Sequence, residues 1–260
     1  MTILVTGATG RLGQVLTPEL VRAGRPTRAM SRTPKGGDDV VERVRADLAT
    51  GEGLAAALAD VDTVLHLASA PYQRGYTRHV DVDGTRRLVD AAGTAGVRHL
   101  VYVSIVGIDR VPFSYYRVKL DAEAIVADGP VPWTILRVTQ FHDLLDEALT
   151  RLARFPVLPV DPKIVGQPVD VHDVAAHLVR RISAPAGRTI EEYGGPEVLS
   201  LADGARAWLT ARGLRRPLLR LPVPGRLGRA FRSGALTTDT GERGRITWPD
   251  YLAGRRTEPG

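Results

Sequence analysis

Two residue types are missing from the 260-residue chain: it has no cysteine and no asparagine. Without thiols there is no disulfide, no thiolate nucleophile and no cysteine-ligated metal site. Lysine is scarce, with only Lys35, Lys119 and Lys163. The net charge of +6 and the pI near 10.0 therefore rest on scattered arginines. The densest basic stretch, Arg212 to Arg232, is broken by proline and glycine and has no basic platform interleaved with aromatics. Nucleic acid is not the expected partner. No apolar run reaches the roughly 18 residues that cross a membrane, and nothing resembles a signal peptide. A cytoplasmic protein without a membrane partner is the expectation. Asp170, His172, Asp173 and His177 do not fall into a metal-ligand spacing, so no metal is expected.

What is present is a regular alternation. The chain is 43% hydrophobic, enough for one substantial core with a small appended lobe. Strands are expected at 2–6, 27–31, 41–45, 63–67, 99–104 and 133–138, with helices at 12–23, 53–58, 77–95 and 115–127. Strand–helix alternation with short links predicts an α/β fold, a Rossmann-type doubly wound parallel sheet. Residues 1–138 would form this nucleotide-binding core. Residues 139–260 would form a C-terminal α/β cap lobe that partly returns to the core, with helices at 141–154, 173–182 and 201–212 and a strand at 188–193.

The first strand runs directly into Gly7-Ala-Thr9-Gly10-Arg11-Leu12-Gly13. A strand, a glycine turn and a helix start form the geometry that holds a dinucleotide pyrophosphate on free N–H groups and the positive helix end. The second strand ends at Ser31-Arg32, with Lys35 close behind, where an NAD site would carry an acidic residue. Arginine pairs bidentately with phosphate, so NADP(H) is expected ahead of NAD(H). Asp47-Leu48 after the third strand would meet the adenine, and Leu67-Ala68-Ser69 after the fourth gives room beside the ribose.

Ser104 ends the fifth strand, and eleven residues later Tyr115-Tyr116-Arg-Val-Lys119 opens a helix. Residues four apart share a helix face. A carbonyl that accepts a hydride on carbon needs a proton on oxygen. Tyrosine can supply it when a neighbouring ammonium stabilises the tyrosinate, because its ordinary pKa is about 10. Tyr115 and Lys119 are thus the candidate catalytic pair, with Ser104 bonded to the substrate oxygen and Lys119 also holding the cofactor ribose. Tyr116 stays open as the alternative acid. Val138-Thr-Gln140-Phe141-His142 follows the sixth strand. There Val138, Gln140 and Phe141 are expected at the cofactor, and Gln140, His142 and Tyr72 at the substrate. Leu144, Leu145, Leu149, Phe155 and Leu158 are candidates for an apolar cap lining, which favours an apolar or aromatic small-molecule substrate.

The glycine spacing and the Tyr-x-x-x-Lys pair resemble the short-chain dehydrogenase/reductase superfamily. Ser31-Arg32-Thr-Pro34, Trp133-Thr-Ile-Leu-Arg137-Val-Thr-Gln140-Phe141, Val169-Asp170-Val-His-Asp173, Gly194-Gly195-Pro196-Glu197 and Ile246-Thr-Trp248 are similar to its atypical, NmrA-like branch over nearly the whole chain. The resemblance implies NAD(P)H binding and one of two roles. One is an oxidoreductase acting on a small carbonyl, quinone or enone. The other is a nucleotide sensor without turnover. A sugar-nucleotide epimerase uses the same Tyr and Lys but a larger C-terminal domain. Asp81 departs from the branch: Val80-Asp81-Val-Asp83-Gly-Thr85 stands where relatives often carry Val-Asn-Val-x-Gly-Thr. Monomer and homodimer both fit the sequence.

Overall fold

The computed structural model describes residues 1–34, 40–71, 73 and 75–255. Tyr72 and Lys35, both singled out above, lie outside the described residues. The elements in chain order begin with β1 (Ile3–Thr6), α1 (Arg11–Arg22), β2 (Thr27–Ser31), β3 (Glu42–Arg45), α2 (Leu54–Leu58) and β4 (Thr63–His66). Then come α3 (Tyr76–Arg78), a π-helical segment (His79–Gly84), α4 (Thr85–Thr94), β5 (His99–Ile105), α5 (Ser114–Asp128) and β6 (Trp133–Val138). The remainder is α6 (His142–Leu152), β7 (Leu158–Val160), β8 (Val165–Gly166), α7 (Val171–Arg181), β9 (Thr189–Gly194), β10 (Leu199–Ser200), α8 (Leu201–Ala211), β11 (Leu218–Arg220), α9 (Gly225–Arg232), β12 (Glu242–Arg243) and α10 (Trp248–Arg255).

The chain divides into two compact units. The first holds Met1–Ser104, Ser114–Arg137 and Val174–Glu191; the second holds Ile105–Phe113, Val138–Asp173 and Glu192–Gly260. The division near 138 is thus joined by two exchanges: 174–191 goes back to the first unit and 105–113 goes to the second.

The first unit is the expected doubly wound sheet, with strand order β3-β2-β1-β4-β5-β6-β9. β1 pairs in parallel with β2 and β4, β2 with β3, and β4 with β5. β1 and β4 are short apolar runs buried at every position, which is what a strand covered on both faces requires. Leu4, Val64, Leu100 and Tyr102 on the sheet meet Leu58, Leu88, Val89, Ala122 and Ile125 of α2, α4 and α5 in one core.

The expected helix at 77–95 forms with a widened middle. Val80, Asp81, Val82 and Gly84 are all buried. Such a π turn is a device common at functional sites.

In the second unit the end of β9 pairs in parallel with β12, β10 pairs antiparallel with β8, and β11 pairs in parallel with β7. Leu149, Leu158, Trp208, Trp248, Tyr251 and Leu252 form its core. No helix among the described residues is long and apolar enough to cross a membrane.

Candidate functional site

The glycine turn is built to hold backbone close to a ligand. Gly7 has φ +68°, and a Cβ there would lie 2.7 Å from Ala68 N and 2.8 Å from Ala68 Cα. Any other residue would be strained in the left-handed region and would push away the chain leaving β4. A Cβ on Gly13 would meet Ala8 Cα at 2.6 Å, so α1 seats directly on the turn. Gly10 donates to Gly7 O at 2.9 Å and starts the helix in extended conformation with no capping side chain. The first-turn N–H groups, which an α-helix leaves without acceptors, are therefore not taken by a cap. That cradle fits a dinucleotide pyrophosphate, and Leu12 is buried beneath it.

Beside the turn runs a buried hydrogen-bonded chain. Thr85 Oγ1 donates to Asp81 O at 2.7 Å, so its oxygen accepts from His66 Nε2 at 2.9 Å. His66 Nδ1 then accepts from Thr6 Oγ1 at 2.8 Å. The fully buried imidazole thus ties the end of β1 to the π segment. Burial, helped by the charge of Lys119, pushes its pKa down to about 3, so it is neutral.

The π segment turns Asp81 toward the end of β4. Asp81 Oδ2 accepts from Ala70 N at 2.9 Å, and Oδ1 accepts from Ser69 Oγ at 2.5 Å. Ser69 Oγ is in turn 2.7 Å from Tyr115 Oη at the start of α5. One helical turn on, Lys119 is buried. It donates to Val103 O at 3.0 Å and sits 4.1 Å from the centre of the Tyr102 ring. Desolvation lowers its pKa to about 8, opposed by the negative charges of Asp81 and Glu123. Burial, with the charges of Asp81, Tyr115 and Glu123, drives Tyr102 well above the usual phenol range. Arg137 grips both oxygens of Glu123 at 3.0 and 2.7 Å and fixes α5 on β6.

A sequence model of NAD(P)H-binding proteins matches residues 7–185. The chain belongs to that family. It is 30% identical over 230 residues to a (4-alkanoyl-5-oxo-2,5-dihydrofuran-3-yl)methyl phosphate reductase of Streptomyces griseus, covering 83% of this chain and 75% of that protein. It is 24% identical over 193 residues to the photosystem II assembly factor Ycf39 of Trieres chinensis, covering 71% of this chain but only 60% of that relative's length. Its fold matches NADPH-dependent quinone oxidoreductase QOR2 of Escherichia coli, crystallised with NADPH. The TM-score is 0.81 at 20% identity, over 98% of this chain and 100% of that one.

Within this NAD(P)H-binding protein the other expected site residues fall as follows. Tyr115, not the largely buried Tyr116, carries the hydroxyl bonded to Ser69. Ser104 is 1% exposed and its hydroxyl has no partner among the described residues. It is enclosed, and Ser69 is the serine that touches Tyr115. Asp47 Oδ1 caps its own turn by accepting from Ala49 N at 2.8 Å, and Leu48 belongs to the main core. Ser31, Thr9 and Ala8 line a cavity of about 780 Å3 that Arg43 also borders. Arg32 donates to Tyr76 Oη at 2.8 Å and lies 5.9 Å over its ring.

The remaining expected residues belong to the second unit. Val138 O accepts from Val106 N, and Gln140 O accepts from Val169 N. Gln140 Nε2 is buried without a partner among the described residues. Phe141 forms a bridge with Val169 at the head of α6. His142 corrects the expectation of a substrate contact. It is fully buried, with its ring 5.5 Å from Trp248 and 5.0 Å from Tyr251, and is core. Of the cap candidates, Leu149 and Leu158 are core, while Leu144 and Phe155 are exposed.

Sequence reasoning missed Arg43 and the Ser69–Tyr115 bond. Arg43 had a signal: β3 alternates, with Arg43 and Arg45 on one face and Val44 on the other, packed against the core.

Proposed function

We propose that this protein is an NADPH-dependent reductase of a small carbonyl, quinone or enone. One observation carries the reading: a tyrosine hydroxyl, a buried lysine and an ordered acceptor chain converge beside a glycine cradle built for a dinucleotide. When bound, the nicotinamide supplies a hydride. The backbone of 7–13 would bind the pyrophosphate, and Arg43 with Ser31 would take the adenosine phosphate in the cavity they share. Arg32 extends the basic rim. Tyr115 would border the substrate, and Lys119 would hold the ribose while supplying positive charge near the tyrosine. The reductase and quinone oxidoreductase names of its relatives support the class of reaction.

The enclosed hydroxyl of Ser104 is the one observation that favours the second reading, a nucleotide sensor without turnover. NADPH oxidation followed against quinones, enones and aromatic ketones tests the choice. NADPH-dependent turnover of any of these acceptors supports the reductase. Tight NADPH binding with no turnover by any acceptor removes it.

A further inference from the structure

Asp81 is 1% exposed, and both its oxygens are engaged: Oδ2 by Ala70 N, Oδ1 by Ser69 Oγ. A hydroxyl has one proton to give, and a carboxylate only accepts. The proton of Ser69 is therefore spent on Asp81. The 2.7 Å contact between Ser69 and Tyr115 must then carry the tyrosine's proton. The chain has one direction, from Tyr115 to Ser69 to Asp81.

An asparagine at 81 would reverse it. Its amide oxygen would take the Ala70 N–H, leaving its NH2 to donate to Ser69. Ser69 would then donate to Tyr115, and the tyrosine's own proton would be free to leave the chain. We propose that Asp81 is a positioning residue that sets the proton direction at Tyr115, drawing the phenolic proton inward and presenting the oxygen lone pairs to the site. The inference deepens the reductase reading and rests on it.

The direction selects among acceptors. The hydride pair passes from NADPH, which is oxidised, to the acceptor, which is reduced. A quinone or enone then holds a delocalised anion that water protonates afterwards. A simple ketone would become a localised alkoxide and needs its proton as the hydride arrives. A site whose tyrosine proton is turned inward favours the first kind. Other ionisable groups surround Asp81 and Tyr115: Lys119 and Glu123 from α5, Tyr102 from β5, and His66 from β4 beside Lys119. A substitution at 81 alters the chain and also removes a charge that raises both Lys119 and Tyr102, so a variant that keeps that charge is needed beside it.

The test compares the wild type with Asp81→Asn, each measured against its own Tyr115→Phe counterpart. The tyrosinate absorbance difference isolates Tyr115 among the seven tyrosines. Without nucleotide, Tyr115 is expected to ionise about one pH unit lower in Asp81→Asn, because a buried negative charge has gone. Ser69→Ala cuts the chain while sparing the Asp81–Ala70 bond, and it should move the titration the same way. With NADPH, the ratio of kcat/KM for an aryl ketone over a quinone should rise roughly tenfold in Asp81→Asn. An unmoved titration in both variants overturns the inference. If the wild type reduces neither acceptor, the reductase reading falls, and the titration still decides the role of Asp81.

Discussion

Replacing His66 with glutamine tests the buried chain that ties β1 to the π segment. The imidazole is fully buried with a folded-state pKa of about 3 against 6.5 in the unfolded chain. A base whose folded pKa is depressed leaves the unfolded state holding more protons, so stability falls as pH falls. The contribution is complete above 6.5 and is lost progressively toward about 3. From about pH 7 to about pH 5 the penalty covers about 1.5 pK units, or about 2 kcal/mol at 1.36 kcal/mol per unit. His99, lowered to about 4 chiefly by burial and by the nearby Arg181, adds a slope of the same sign. Asp170, lowered to about 2, acts below this window. The assay is urea unfolding at both pH values for wild type and His66→Gln. The wild type should lose about 2 kcal/mol more than the variant between them. Parallel losses would refute the claim that His66 is held neutral between Thr6 and Thr85.

Gly7→Ala should weaken NADPH binding more than tenfold and cost about 1–2 kcal/mol of stability, from the left-handed φ alone; nucleotide fluorescence and urea titrations check it. Arg43→Ala should reduce the preference for NADPH over NADH by roughly ten- to a hundredfold while leaving NADH affinity within about twofold, because one charge-assisted phosphate contact is removed. Lys119, with a pKa of about 8, loses its charge as pH rises through that value. NADPH affinity in the wild type should therefore fall above about pH 8, and this limb should be absent in Lys119→Met.

The core fold was legible because its signals are short-range and strong. Apolar runs at 3–6 and 63–66 are buried at every position, and the glycine triplet sits where β1 meets α1. Tyr115 and Lys119 were legible as a helical pair. Their surroundings were not. Asp81 is buried within a π turn, which a 3.6-residue reading of 77–95 smooths over. The enclosure of Ser104 depends on depth, whereas strand alternation gives only the face. The bond from Ala49 N to Asp47 is a local turn that composition does not reveal. His142 stands two residues after Gln140 in a polar stretch, and only the fold shows Trp248 and Tyr251 closing over it.

The most direct measurement of the central claim is label transfer. The protein is incubated with NADPH carrying deuterium at the transferable position and with a quinone or enone acceptor, and the product is weighed by mass spectrometry. The reductase account predicts deuterium in the enone product, or NADP+ formed in equal amount to hydroquinone. NADPH that binds tightly yet passes hydride to no acceptor would contradict it.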